Sequence, residues 1–151
     1  MRGCLVAILI FAVLGLSFYF FVAGPTENID REYPGIMYTT DGEIEEQITV
    51  KLRGALTEPL MSEPTFEGEI EITGDEIYYS ESIPEIECAE GIFFLGFPEQ
   101  ETPEGIVSGS VTISDDLEKL IGSLSLNNKY TYYFGAPGES LEEILAIKMY
   151  E

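Results

Sequence analysis

The hydrophobic pattern changes twice along the chain. Leu5 to Ala23 is almost wholly Leu, Ile, Val, Ala, Phe and Tyr, and no charged residue falls between Gly3 and Thr26. As a helix this run would measure roughly 28 Å, close to the thickness of a bilayer's hydrocarbon core. Residues 1–24 are therefore predicted to form a transmembrane anchor, with residues 5–23 in contact with membrane lipid.

After the anchor the period becomes two. Ile48, Val50 and Leu52 alternate with Thr49, Lys51 and Arg53, and Phe66, Gly68, Ile70 and Ile72 alternate with Glu67, Glu69 and Glu71. Both are patterns of half-buried strands. On so acidic a chain, Lys51 and Arg53 are expected to pair with carboxylates across the sheet. Gly74-Asp75 marks a turn into a short strand, Ile77 to Ser80, after which the chain meanders past Pro84. The continuous apolar run Gly91 to Phe97, closed by Pro98, predicts a strand buried on both faces. Ile106 to Ser114, Ile121 to Leu126 and Lys129 to Phe134 follow, with Asn127-Asn128 as a two-residue hairpin connection.

The period changes again at Ser140. Ser140 and Glu143 make a capping-box pair, and Leu141, Ile144 and Leu145 share one helical face, predicting a helix from Leu141 to Met149 packed on the sheet. Pro25 to Gly42, punctuated by Pro34-Gly35 and Asp41-Gly42, reads as a tether. The domains expected are thus 1–24 anchor, 25–42 tether and 43–151 acidic β domain. The fold class is mainly β: an antiparallel β-sandwich or partly open barrel of about six to eight strands with a C-terminal helix. One internal likeness stands out: Phe66-Glu67-Gly68-Glu69-Ile70-Glu71-Ile72-Thr73 matches Val107-Ser108-Gly109-Ser110-Val111-Thr112-Ile113-Ser114 in pattern.

Charge narrows the partners. The chain carries 28 acidic and 7 basic side chains, a net −21. Such a surface repels phosphate backbones and anionic lipid headgroups, so nucleic acid is not an expected partner. A basic or envelope protein is. Arg2 before the apolar run favours a cytoplasmic N-terminus and places the acidic domain outside the cell membrane, single-pass. The exit Phe21-Val22-Ala23-Gly24-Pro25 offers a signal peptidase poor sites, which favours a retained anchor.

Chemistry-bearing residues are scarce. The chain has two cysteines, Cys4 and Cys88, and no His. With this topology the cysteines lie on opposite sides of the membrane and form no intrachain bridge. Cys88, among Glu85, Glu87 and Glu90, is expected to be an unreactive packing residue with a raised thiol pKa. Without His, Ser-His-Asp and Cys-His triads and His-containing zinc sites are impossible. Neither catalytic, cofactor nor metal residues are assigned. Three acidic clusters, around Glu81–Glu90, Glu43–Glu46 and Glu99–Glu104, lack the ordered spacing of a calcium loop. The aromatic residues Tyr130, Tyr132, Tyr133, Tyr78 and Tyr79 are the candidate partner-binding group, Tyr130 and Tyr132 on one strand face and Tyr133 on the other.

Phe66 to Ile72, the run Ile92-Phe93-Phe94-Leu95 and the segment Ala136-Pro137-Gly138-Glu139-Ser140-Leu141-Glu142-Glu143 resemble features of small membrane-anchored or secreted β-domain proteins of unassigned function from Gram-positive bacteria. The resemblance transfers no catalytic residue. The expected function is a membrane-anchored, extracytoplasmic, non-enzymatic binding or assembly module of the cell envelope. The alternative is a carboxylate-based glycan hydrolase or a divalent-cation-binding domain.

Overall fold

The computed structural model describes residues 2–39, 45–75, 77–102, 105–127 and 129–149, with the side chains of the N-terminal helix described for Ile8–Tyr19, Val22 and Ala23. Helix α1, Arg2–Ala23, precedes eight strands: β1 Thr26–Thr39, β2 Glu45–Thr57, β3 Thr65–Thr73, β4 Tyr78–Glu87, β5 Ile92–Thr102, β6 Gly105–Ser114, β7 Leu120–Leu126 and β8 Tyr130–Ala136. A short helix, α2, Leu141–Leu145, follows.

The strands pair antiparallel with their sequence neighbours, and β1 also pairs with β8. The order β4-β3-β2-β1-β8-β7-β6-β5 is therefore an up-and-down meander curled almost into a ring, with a seam between β4 and β5. Side chains close the seam: the Tyr79 ring lies 5.0 Å from that of Phe97, and Gln100 Nε2 donates to Glu81. Of the two architectures compatible with the hydrophobic pattern, the chain adopts the nearly closed barrel.

Alternation explains the interior. Val50, Leu52, Phe66, Ile70, Phe93 and Phe134 all point inward and are fully buried; an eight-stranded barrel is just wide enough for side chains of this size to fill. One end is stoppered by the β6–β7 loop. Leu117, at φ +58°, buries its side chain there. Its carbonyl accepts a hydrogen bond from the Tyr33 hydroxyl, and Arg31 Nη1 donates to the Asp116 carbonyl over 2.9 Å. Lys51 and Arg53 do pair across the sheet, with Glu32 at 3.5 Å and Asp30 at 3.2 Å on β1.

Five expectations need correction. The supposed tether, 25–42, contains β1, a strand of 14 residues hydrogen-bonded to β2 along its length; residues 40–42 lie outside the described residues. Pro34 is tolerated because β8 ends before reaching it. In an extended residue N–H and C=O point to the same side, and on that side Pro34 meets only Gly138, whose N–H donates to the Pro34 carbonyl over 2.9 Å. No ladder donor is missing.

The short strand predicted at Ile77 to Ser80 does not stop there. It runs through Pro84 to Glu87, because β4 is a seam strand and Pro84-Glu85 form a bulge opposite Glu67. Strand β5 is not buried on both faces: Phe93, Leu95 and Phe97 point inward, whereas Phe94 is exposed. It too passes a proline, Pro98-Glu99 bulging opposite Ser108. The paired octets of β3 and β6 thus hold equivalent places, each with its second residue facing a bulge and its glycine beside it. Helix α2 ends at Leu145 rather than Met149 and docks through Ile144, while Leu145 is exposed. Its capping pair forms as expected, the Ser140 hydroxyl accepting from Glu143 N–H over 3.3 Å.

Helix α1 departs from expectation as well. It is a helix of 22 residues, yet among the described residues no helix is long and apolar enough to cross a membrane. A transmembrane anchor is therefore not part of the fold as described. What the fold does contain is an apolar helix standing outside the barrel, with Ile8, Leu9, Ile10 and Phe11 each 53–76% exposed. Four consecutive residues look in four directions around a helix, so no side of this stretch is covered.

Candidate functional site

The five tyrosines expected to offer a partner surface do not meet. Tyr79 faces inward, packs on Phe97 and donates to Glu81 Oε2 over 3.2 Å. Burial, with the Glu81 charge adding to it, pushes its hydroxyl well above the ordinary tyrosine pKa. It is a seam residue of the core. Tyr78, next to it, is exposed on the outer side of β4. Tyr132 packs partly buried against the core. Tyr130 is exposed where β8 begins, with Lys129 Nζ 4.9 Å from its ring centre.

Tyr133 points outward and acquires a partner that the hydrophobic pattern did not reveal. Tyr38 lies directly opposite it on β1, and the two rings stack with centres 5.9 Å apart at 30°. Tyr38 falls in the stretch read as a tether. Its alternation with buried Tyr33 and Met37 is the signal that would have placed it on a strand.

The registers extend this pair into a row. Ser110 lies opposite Ser123, Ser123 opposite Tyr133, and Tyr133 opposite Tyr38, so four adjacent strands present hydroxyls and rings in one line across the outer face. Strands β6, β7 and β8 contain no charged residue. By contrast β3 alone puts Glu67, Glu69 and Glu71 on its outer side. Between the row and the C-terminal segment runs a groove of about 380 Å³, lined among others by Tyr38, Tyr133, Ile121, Ser123, Ile144 and Ile147. Helix α2 forms one wall because Ile144 seats in the space above two glycines; a Cβ on Gly135 or Gly138 would lie 2.5 Å from Ile144 carbons.

Chemically this face offers flat aromatic surface, aliphatic walls and neutral hydroxyls. It suits a neutral ligand or protein surface that stacks on rings and exchanges hydrogen bonds. It holds no carboxylate pair and no nucleophile beside a base. The acidic clusters are elsewhere: among the described residues no three Asp, Glu or Cys side chains converge as metal ligands, while Glu43, Ile44 and Glu104 lie outside the described residues.

Cys88 is buried and unbridged, tied to the fold by its N–H bond to the Pro64 carbonyl over 2.8 Å. Burial is the main cause raising its thiol pKa, with Asp115 and Glu63 adding charge repulsion and the Gly91 backbone N–H opposing. The flanking residues Glu85, Glu87 and Glu90 are not among these causes. Comparison with protein-family models, with curated proteins and with solved structures finds no match to this chain.

Proposed function

We propose that the chain is a membrane-attached, non-enzymatic binding module of the cell envelope. Helix α1 contacts lipid, and the barrel presents its uncharged outer face to a neutral partner on the outer side of the membrane. The observation that carries this reading is the apolar helix exposed on every side. In water such a surface is unfavourable by about 25 cal/mol for each Å², and a helix apolar all round is a helix that something apolar surrounds. The barrel does not cover it.

The uncharged face supplies the binding half of the reading. On a chain of net −21, β6 to β8 form a region where a partner meets rings and hydroxyls instead of repulsion.

The test has two arms. In cells expressing the full chain, alkaline carbonate is expected to leave it in the membrane pellet, and external protease is expected to degrade the barrel in spheroplasts. A photo-crosslinking residue at Tyr133 is expected to trap a partner, whereas one at Glu69 is not. Release by carbonate, protection of the barrel, or equal trapping from both positions would overturn the reading.

A further inference from the structure

Attachment through one helix leaves a barrel free to swivel at Gly24-Pro25, but the structure ties this junction down. The Glu58 N–H donates to the Pro25 carbonyl over 3.0 Å. Gly24 presses so closely on the β2–β3 loop that a Cβ there would lie 2.4 Å from the Glu58 carbonyl oxygen. The far end of the loop is fixed as well, Pro64 accepting from Cys88 N–H over 2.8 Å. Between these two ties the loop reads Glu58-Pro59-Leu60-Met61-Ser62-Glu63-Pro64. It turns its two large apolar side chains away from the core: Leu60 is 67% and Met61 75% exposed.

We infer that Leu60 and Met61 form a second lipid contact, inserted at the membrane surface beside the exit of α1 and setting the orientation of the barrel. This rests on the reading of α1 as the lipid-contacting helix. Four observations converge on it. The loop touches the helix exit, its tip is apolar in a chain otherwise rich in acids, both of its ends are held by backbone hydrogen bonds, and it lies at the end of the barrel where β1 begins. Glu58 and Glu63 flank the tip and keep it shallow, since carboxylates stay with the headgroups and water while Leu and Met enter the outermost acyl region. The occupant fitted is a zwitterionic lipid surface; an anionic one is repelled by the same two carboxylates.

The chain contains no Trp, so a single introduced Trp is a clean reporter. Three full-length variants are reconstituted in phosphatidylcholine vesicles: Val13→Trp in α1, Leu60→Trp in the loop, and Tyr130→Trp at the opposite end of the barrel. Circular dichroism confirms the folded barrel in each. Trp emission in the Val13 and Leu60 variants is expected to shift to the blue and to be quenched by brominated acyl chains. For the Leu60 variant, bromine near the headgroup end quenches more than bromine near the chain middle. The Tyr130 variant is expected to show neither effect. A quenched Val13 variant with an unquenched Leu60 variant overturns the loop contact and leaves the attachment reading standing. Loss of quenching in both overturns the attachment itself. Equal quenching at Leu60 and Tyr130 overturns the loop as the orienting contact.

Discussion

At the scale of single residues, a buried hydrogen bond and a close backbone approach hold neighbouring parts of the barrel together. The Tyr33 hydroxyl and the Leu117 carbonyl are both buried and satisfy one another. Burial is the leading cause of the raised Tyr33 pKa, opposed by Arg31. Removing the hydroxyl leaves a carbonyl without a donor, a loss of about 1–3 kcal/mol. Tyr33→Phe is therefore expected to lower the unfolding free energy by that amount in urea titrations, with the slope against urea unchanged. A result within about 0.5 kcal/mol of the parent would mean that water replaces the hydroxyl. Glycines supply the second case. A Cβ on Gly68 would lie 2.0 Å from the Arg53 carbonyl oxygen, on the backbone of the neighbouring strand, whereas nothing lies within 4 Å of one on Gly96. Gly68→Ala must push β2 and β3 apart and is expected to cost about 3 kcal/mol or more. Gly96→Ala is expected to be neutral or to stabilise by up to about 1 kcal/mol, through the unfolded chain. Both are read from the same urea curves, and equal effects would contradict the close approach.

At the scale of elements, the sequence was readable where one face of a strand is buried and the other solvated. Ile48-Val50-Leu52 and Ile70-Ile72 show this, and so does the basic pair Lys51 and Arg53 bonded to β1. It was unreadable where prolines sit at places that need no donor. Pro34 lies past the end of β8, and Pro84 and Pro98 lie in seam-strand bulges; local punctuation cannot distinguish these from loops. Tyr38 was lost with β1, and with it half of the stacked pair. The exposure of Phe94 was hidden for a different reason: a run of apolar residues does not say that its strand borders a seam. The β6–β7 loop shows what a short element can do with polar atoms. Asp116 Oδ1 accepts from the Ser114 hydroxyl and from Glu118 N–H at 2.9 Å. Burial raises the Asp116 pKa, but these bonds, with Lys119 and Arg31, outweigh it and hold the carboxyl below the ordinary aspartate range. A carboxyl whose folded pKa is depressed stabilises the fold above its unfolded pKa and ceases to do so as pH falls through the folded value. Asp116→Asn is therefore expected to be less stable than the parent at pH 6–7. The gap is expected to narrow as pH drops below about 4, tracked by urea midpoints. A gap independent of pH would place the effect in packing rather than charge.

At the scale of the whole molecule, the ring and its charge are both uneven. Seven strand junctions carry backbone ladders; between β4 and β5 the closure rests on Tyr79 with Phe97 and Gln100 with Glu81. Carboxylates flank this seam on both sides, more of them on β3 and β4 than on β5, which carries Glu99 and Glu101. On β2, Lys51 and Arg53 pair with Glu32 and Asp30 on β1, whereas Glu71 and Glu69, opposite them on β3, accept hydrogen bonds from the hydroxyls of Thr73 and Ser80. The surplus on β3 and β4 repels itself, while β6, β7 and β8 carry no charge to repel. Repulsion of this kind reaches about 30 Å at 0.01 M salt and about 8 Å at 0.15 M. It therefore acts most strongly, at low salt, beside the junction with the fewest bonds. Local opening follows the weakest ladder. In native-state hydrogen exchange, the amides of β4 are expected to exchange faster than those of β7 and β8 at about 10 mM salt and to slow as salt rises to about 150 mM, with β7 and β8 changing little. Exchange that is uniform around the ring, or a β4 that ignores salt, would mean that the seam is as firmly closed as the hydrogen-bonded junctions and that the surplus charge does not reach it.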